Sequence, residues 1–220
     1  MPQEDGLCGD GPPRASRRRI DRTPPPNAQL IETALVQLAV VEPDNSDDDA
    51  FLQEVNLAMA QRKRLIFMFW ECEAGKPVPD IVKACMERFY RFAGDRFKVL
   101  VVNRHAAPAP PGGWDRNWGE KPLAHIKDYV SFHLVRTFGG IWFDASIILL
   151  KPIDEIFDLT LGKFQGWYAP GSEGRRAENW AFFAPPECPI MQSWYDKVYH
   201  YLETHDRIEE YLWQHDIFEQ

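Results

Sequence analysis

The chain has no apolar run long enough to span a bilayer and no apolar block near its N-terminus of the kind a secretory leader carries. Cysteine is scarce: Cys8, Cys72, Cys85 and Cys188 stand far apart, with no Cys-x-x-Cys pair. That spacing argues against a zinc site and a disulfide framework, and for free thiols in a reducing compartment. Positive charge is in deficit too, with 25 Lys and Arg against 33 Asp and Glu and a formal net charge of −8. Nonspecific nucleic-acid binding, which needs clustered cations against phosphates, is therefore not expected. The expectation is a soluble, cytoplasmic protein with no transmembrane segment, peripheral to a membrane at most.

What is present is a core. Of 220 residues, 45% are hydrophobic and 13% aromatic, including 8 Trp and 14 Phe. That supports one sizeable folded unit with tails rather than a disordered chain. Residues 1–26, rich in Pro, Gly and Arg, read as a disordered tail, and 27–64 as an N-terminal helical segment. Within it "NAQLIETALVQLAVV" and "FLQEVNLAMAQRKR" have helical spacing, joined by an acidic hinge at 42–50.

From Leu65 the pattern becomes α/β. "LIFMFW" reads as a buried strand, "VPDIVKACMERFYRFAG" as an amphipathic helix ended by Gly94, and "FKVLVVN" as a second strand. Strand, helix and strand in that order imply a parallel sheet. A loop rich in Pro, Gly and Trp follows over 105–122. The spacing then predicts a helix near 123–138, a stop at Gly139-Gly140 and a ten-residue strand from Ile141 to Leu150. Strands at "FQGWYAP" and "WAFFAPP" and helices at 188–205 and about 207–218 complete the layout.

Asp144 and Ser146 interrupt that ten-residue run. On a strand they share a face with Trp142 and lie about 7 Å apart. A buried, unpaired carboxylate costs several kcal/mol, so Asp144 needs a cation, a donor network or an open cleft. Backbone donors or a Lys or Arg partner would meet the same need without any catalytic role. Asp128 lies about 16 Å before the glycines at helical rise, and the chain returns about 13 Å by Asp144 at strand rise. The two carboxylates are thus expected at one level. Asp128 also stands off the apolar row Ile126, Val130, Leu134, so it need not point into the core.

Here the residues "AHIKDYVSFHLVRTFGGIWFDASIILLKP" resemble glycosyltransferases of the capsular polysaccharide synthesis family, which carry a DxD-type motif on a GT-A fold. More distantly they resemble initiating mannosyltransferases and clostridial glucosylating toxins. The sixteen-residue spacing of Asp128 to Asp144 and the Gly-Gly-x-aromatic-x-Asp strand carry the likeness. It extends from Leu65 to the end through "FW" at 69–70, Pro79 and Cys85, and "ENW" at 178–180, and does not cover residues before about 60. The resemblance implies a GT-A-like, Rossmann-like domain over 65–220, with a mixed, mainly parallel sheet flanked by helices. Relatives continue past the point matching Gln220, so a C-terminally incomplete domain is also expected.

The implied activity is transfer of a sugar from a nucleotide-sugar donor to a glycan or other hydroxyl acceptor, with retention and with Mn²⁺ or Mg²⁺ against the leaving diphosphate. Asp144 and Asp128 would be the catalytic pair. Asp144, Ser146 and His215 would hold the metal, Ser146 standing where a second acid often stands. Phe69 or Trp70 would contact the nucleobase. Asp128, Gly140, Asp144, Ala145 and Ser146 would line the donor site, with Glu178 and Asn179 on a neighbouring loop. The family frequently has Arg three residues after the helix Asp where this chain has Ser131; Lys127 and Arg136 are the candidates for the missing charge. The other histidines, such as His125 and His133, read as core or surface residues. Two rivals remain. A haloacid-dehalogenase-type phosphatase would want Asp-x-Asp after its first strand. A non-catalytic nucleotide-sugar-binding relative or scaffold on the same fold is compatible with Ser131 and Ser146.

Overall fold

A computed structural model describes residues 47–72, 76–114, 118, 121–168, 177–205 and 213–219, with the backbone alone for Asp47, Asp48, His215, Asp216 and Glu219. The tail at 1–26 and the helix expected over 27–41 lie outside the described residues. In chain order the elements are α1 (Asp47–Ala60), β1 (Arg64–Phe69), α2 (Asp80–Ala93), β2 (Phe97–Val102), α3 (Leu123–Phe138), β3 (Gly140–Phe143), β4 (Gln165–Tyr168), β5 (Ala177–Ala184), α4 (Pro189–Thr204) and α5 (Trp213–Glu219). The strands form one mixed sheet in the order β2-β1-β3-β5-β4. β1 pairs parallel with β2 and β3, while β5 runs antiparallel to both β3 and β4. The expected mixed α/β architecture is what the chain adopts.

Alternation along the strands divides the core into two layers. Leu65, Phe67 and Phe69 on β1, Trp142 on β3 and Phe182 on β5 face one way. They pack against Phe51 and Val55 of α1, Tyr129 and Phe132 of α3, and Met191 and Trp194 of α4. Ile66, Met68, Ile141, Phe143 and Phe183 face the other way, against Val82, Met86 and Phe89 of α2. The segment after β3 crosses this second face and adds Leu149, Ile153 and Phe157. Arg88 of α2 pins it by donating from Nε to the Leu149 carbonyl at 2.8 Å.

The Gly139-Gly140 pair has a packing cause. Gly139 (φ +66°) ends α3, donating its N–H to the Val135 carbonyl at 2.9 Å. A side chain there would meet Pro186. Gly140 has φ +120°, and a Cβ would stand 2.7 Å from the Leu65 carbonyl oxygen. Both positions need φ values that L residues rarely adopt.

The strand expected from Ile141 to Leu150 is shorter. β3 ends at Phe143, and residues 144–147 form a turn closed by Ile147 N–H donating to the Asp144 carbonyl at 3.1 Å. The last ladder bond is Asp144 N–H to the Trp180 carbonyl at 2.8 Å. Asp144 therefore sits just beyond the carboxyl end of a parallel strand. Ser146 does not share a strand face with it.

Candidate active site

Ligands of open α/β sheets sit outside the carboxyl ends of the parallel strands. That edge here comprises Trp70 and Glu71 after β1, Asn103 and Arg104 after β2, and Asp144 after β3. Asn103 shapes the turn leaving β2 by accepting the His105 and Ala106 N–H groups on Oδ1, each at 2.9 Å. Arg104 pairs with Glu71 at 3.2 Å.

The polar cluster lies beside Asp144. Lys127 of α3 places Nζ 2.9 Å from Asp128 Oδ1 and 3.2 Å from Asp144 Oδ1. Asp128 also accepts from Asn179 Nδ2 at 2.7 Å, which ties α3 to β5. Asp144 Oδ1 accepts a second bond from the Trp142 indole N–H at 3.1 Å. The convergence of Asp128 and Asp144 expected from helix and strand rise is thus realised through one shared ammonium. Of the two candidate cations, Lys127 serves this site. Arg136 is committed elsewhere, to Gln192 and over the Tyr195 ring at 4.5 Å.

Burial governs the electrostatics. Asp128 is 4% exposed, contrary to its expected place off the core face, because α3 is covered on nearly every side. Burial pushes its carboxyl above the usual carboxylate range, with Lys127 opposing. For Lys127, burial alone would lower the pKa, but the charges of Asp128 and then Asp144 outweigh it and raise it overall. Lys127 is therefore a fixed positive charge at all ordinary pH values. Asp144 is the open member of the cluster, its side chain 28% exposed.

The other expected site residues separate clearly. Phe69 and Ala145 are core side chains, on opposite faces of the sheet, and present nothing to a ligand. Trp70 is half-buried, and its indole N–H is buried without a hydrogen-bond partner among the described residues. Gly140 starts β3, at the end away from Asp144, where it admits the Leu65 carbonyl. Ser146 is exposed on the turn two residues after Asp144. Asn179 joins the cluster; Glu178, half-buried, lies on the alternate face of β5. The side chain of His215 lies outside the described residues. Among the described residues, no three His, Cys, Asp or Glu side chains are grouped to hold a metal ion. Ser131, where the family frequently carries Arg, is wholly buried and donates to the Asp128 carbonyl at 2.7 Å.

The remaining histidines on α3 are structural. His125 Nδ1 accepts from the Trp213 indole at 3.1 Å. His133 stands between the Tyr129 and Tyr195 hydroxyls at 3.4 and 3.3 Å. The indole of Trp142 was not singled out as a functional group, although its place two residues before Asp144 was a usable signal.

Residues 117–220 match the family model described as capsular polysaccharide synthesis protein. The match contains Lys127, Asp128, Trp142, Asp144 and Asn179. It begins well after Leu65, so Phe69, Trp70, Pro79 and Cys85 lie outside it. No curated protein matches the chain. Among solved structures, one titled PaToxG Glycosyltransferase aligns over 80% of this chain and 76% of its own, with 14% identity and a TM-score of 0.49. No helix among the described residues is long and apolar enough to cross a membrane.

Proposed function

We propose that the protein is a glycosyltransferase with a GT-A-like fold, moving a sugar from a nucleotide-sugar donor to a glycan or other hydroxyl acceptor with retention. The observation that carries this reading is the meeting of Asp128 and Asp144 on one ammonium at the carboxyl edge of the parallel strands. The family match over the same residues supports it. Asp128, fixed by Asn179 and Lys127, is suited to orient donor hydroxyls through its carboxyl oxygens. Trp70, half-buried at the same edge, is the aromatic residue this reading places nearest the nucleobase.

Mn²⁺ or Mg²⁺ is the ion this reading takes at the site. Asp144 is its open carboxylate, while burial raises the pKa of Asp128 and favours its neutral form. Asp144 would hold the ion, with Ser146 two residues on and His215 on α5 as further candidates. Such an ion supplies counter-charge to the leaving diphosphate. The chain's own part is to orient Asp144 through Trp142 and Lys127 and to hold the donor through Asp128.

A nucleotide-sugar-binding scaffold is the second reading, favoured by the pairing of Asp144 with Lys127 and by the exposed hydroxyl at position 146. A thermal-shift screen of UDP and GDP with and without Mn²⁺, followed by a nucleotide-sugar hydrolysis assay, separates the readings. A transferase is stabilised most by nucleotide and Mn²⁺ together, by about 2.7 kcal/mol at a hundredfold excess over Kd, and slowly hydrolyses its donor. A scaffold shows the shift without turnover. No shift at millimolar nucleotide overturns both.

A further inference from the structure

The outer strand of the sheet carries an aromatic pair that the charged cluster does not use. Trp167 of β4 stacks on Trp180 of β5, with ring centroids 5.5 Å apart and planes 17° from parallel. Trp180 is half-buried and packs against the core on the α2 side, so it fixes the plane of its partner. Trp167 stays 42% exposed on the edge strand, a place where charge or proline is the ordinary choice.

The position of this pair depends on an irregularity in the ladder. Gly166 stands opposite Phe182, so a regular antiparallel register would set Trp167 opposite Ala181, which is wholly buried. The register shifts between Gly166 and Trp167, and Trp167 stands opposite Glu178 instead. That shift carries the indole toward the end of the sheet where the Trp180 carbonyl accepts the Asp144 N–H at 2.8 Å. Ladder irregularities of this kind re-aim side chains beside functional sites. The stack and Asp144 thus lie at one end of the sheet, with β4 two strand spacings, about 10 Å, from β3. The stack is on the α2 side and the Lys127 cluster on the α3 side, so a ligand touching both must run across that end.

A flat indole, fixed on one face and open on the other, suits a sugar ring. The axial C–H groups of a pyranose carry partial positive charge and meet the negative face of the indole, while its hydroxyls stay at the rim. We propose that Trp167, backed by Trp180, is a stacking platform for the acceptor, and that the acceptor is an oligosaccharide. This rests on the transferase reading above and adds the acceptor class to it. The platform lies on the antiparallel side of Asp144, whereas the parallel-strand edge that would take a nucleotide lies on the other side, over β1 and β2. The reacting unit would sit at Asp144 and a more distant unit on Trp167. A single ring is too short to reach both across about 10 Å.

The competing explanation is that the stack only ties β4 to β5, as cross-strand aromatic pairs do. Saturation-transfer NMR and calorimetry on the full chain separate the two, with cellohexaose, chitohexaose, maltohexaose and mannohexaose and their parent monosaccharides as probes. At least one hexasaccharide should bind, on the order of tenfold more tightly than its monosaccharide. Trp167→Ala should weaken that binding by about the same factor and leave UDP and GDP binding where it was. Trp167→Leu keeps apolar packing on Trp180 without a flat face; it should behave alike and carries the test if the alanine variant fails to fold. Binding of none of the four hexasaccharides overturns the proposal, as does equal binding of hexasaccharide and monosaccharide, or undiminished binding in a folded variant. Competition by UDP or GDP for the same place makes the stack a base platform and overturns it too. Nucleotide binding and donor hydrolysis without sugar binding remove the platform and leave the transferase reading standing. Sugar binding without binding of either nucleotide removes that reading, and the acceptor role with it.

Discussion

The two faces of the sheet share the same strands but differ in chemistry. Against α2 the core is apolar: Ile66, Met68, Ile141 and Phe143 meet Val82, Met86 and Phe89. Against α3 and α4 the core is richer in aromatics and carries the buried polar groups. His125, Asp128 and Ser131 lie on α3, Gln214 on α5, and Asn179 faces Asp128 from β5. The α2 face needs only shape and hydrophobicity. The α3 face also pairs polar groups, Asp128 with Asn179 and Lys127 and His125 with Trp213, because a buried unpaired one costs about 1 to 3 kcal/mol. Packing and chemistry are thereby separated across the sheet, and substitutions on the two faces should have different signatures.

The largest effect should come from the apolar face. Phe89→Ala removes a fully buried ring that packs on Phe143 with centroids 4.9 Å apart. It should lower stability by about 3 to 5 kcal/mol in urea unfolding. Nucleotide affinity of the folded protein should not move. A parallel loss of affinity would break the division between the faces.

Next is Asp144→Asn. Turnover of nucleotide sugar should fall on the order of a hundredfold or more, since the anionic ligand atom is gone. The unfolding free energy should shift by no more than about 1 kcal/mol, because the pair with Lys127 is partly solvated. A large stability loss with unchanged nucleotide binding would make Asp144 structural.

The third effect is a pH dependence. Burial, assisted by Arg136, pulls the His133 pKa from its ordinary value down to about 4. The folded state therefore binds fewer protons than the unfolded state between those values. Stability from this group is complete above about pH 6.5 and declines as pH falls toward 4, by roughly 2 to 3 kcal/mol in total. Unfolding midpoints measured across that window should show the slope, and His133→Leu should flatten it. A slope unchanged in the variant would assign it to another group.

Asn179→Ala should have the smallest effect. It removes one donor from Asp128 while Lys127 remains, for a loss of about 1 to 2 kcal/mol. A sharper fall in nucleotide affinity than in stability would place Asn179 in the donor site itself and sharpen the contrast with the α2 face.

Much of this was legible in the chain. Short apolar runs located β1, β2 and β5 within a few residues, and Pro79 with Gly94 bracketed α2. The meeting of Asp128 and Asp144 followed from element rise alone. The error at β3 has a plain cause: Ala145, Ile147 and Leu149 continue an alternating pattern that a strand and a tight turn over an apolar helix satisfy equally well. The partner strand decided between them, since the ladder ends at the Trp180 carbonyl. The resemblance implied Gly140 in the donor site, but the group approaching it is the Leu65 carbonyl. Backbone approach by a neighbouring strand and by a ligand demand the same missing side chain.

By itself the sequence determined the secondary-structure order, the mixed α/β class and the pairing of two carboxylates across a Gly-Gly turn, because each depends on local periodicity and on distances along one chain. The tertiary structure decided which charge completes the cluster. Lys127 and Arg136 were equivalent as residues, and only the approach of β3 and β5 to α3 places one ammonium on both carboxylates while α4 takes the guanidinium. Charge is a property of composition, whereas its neighbours are a property of packing, and the chemistry of this site depends on the neighbours.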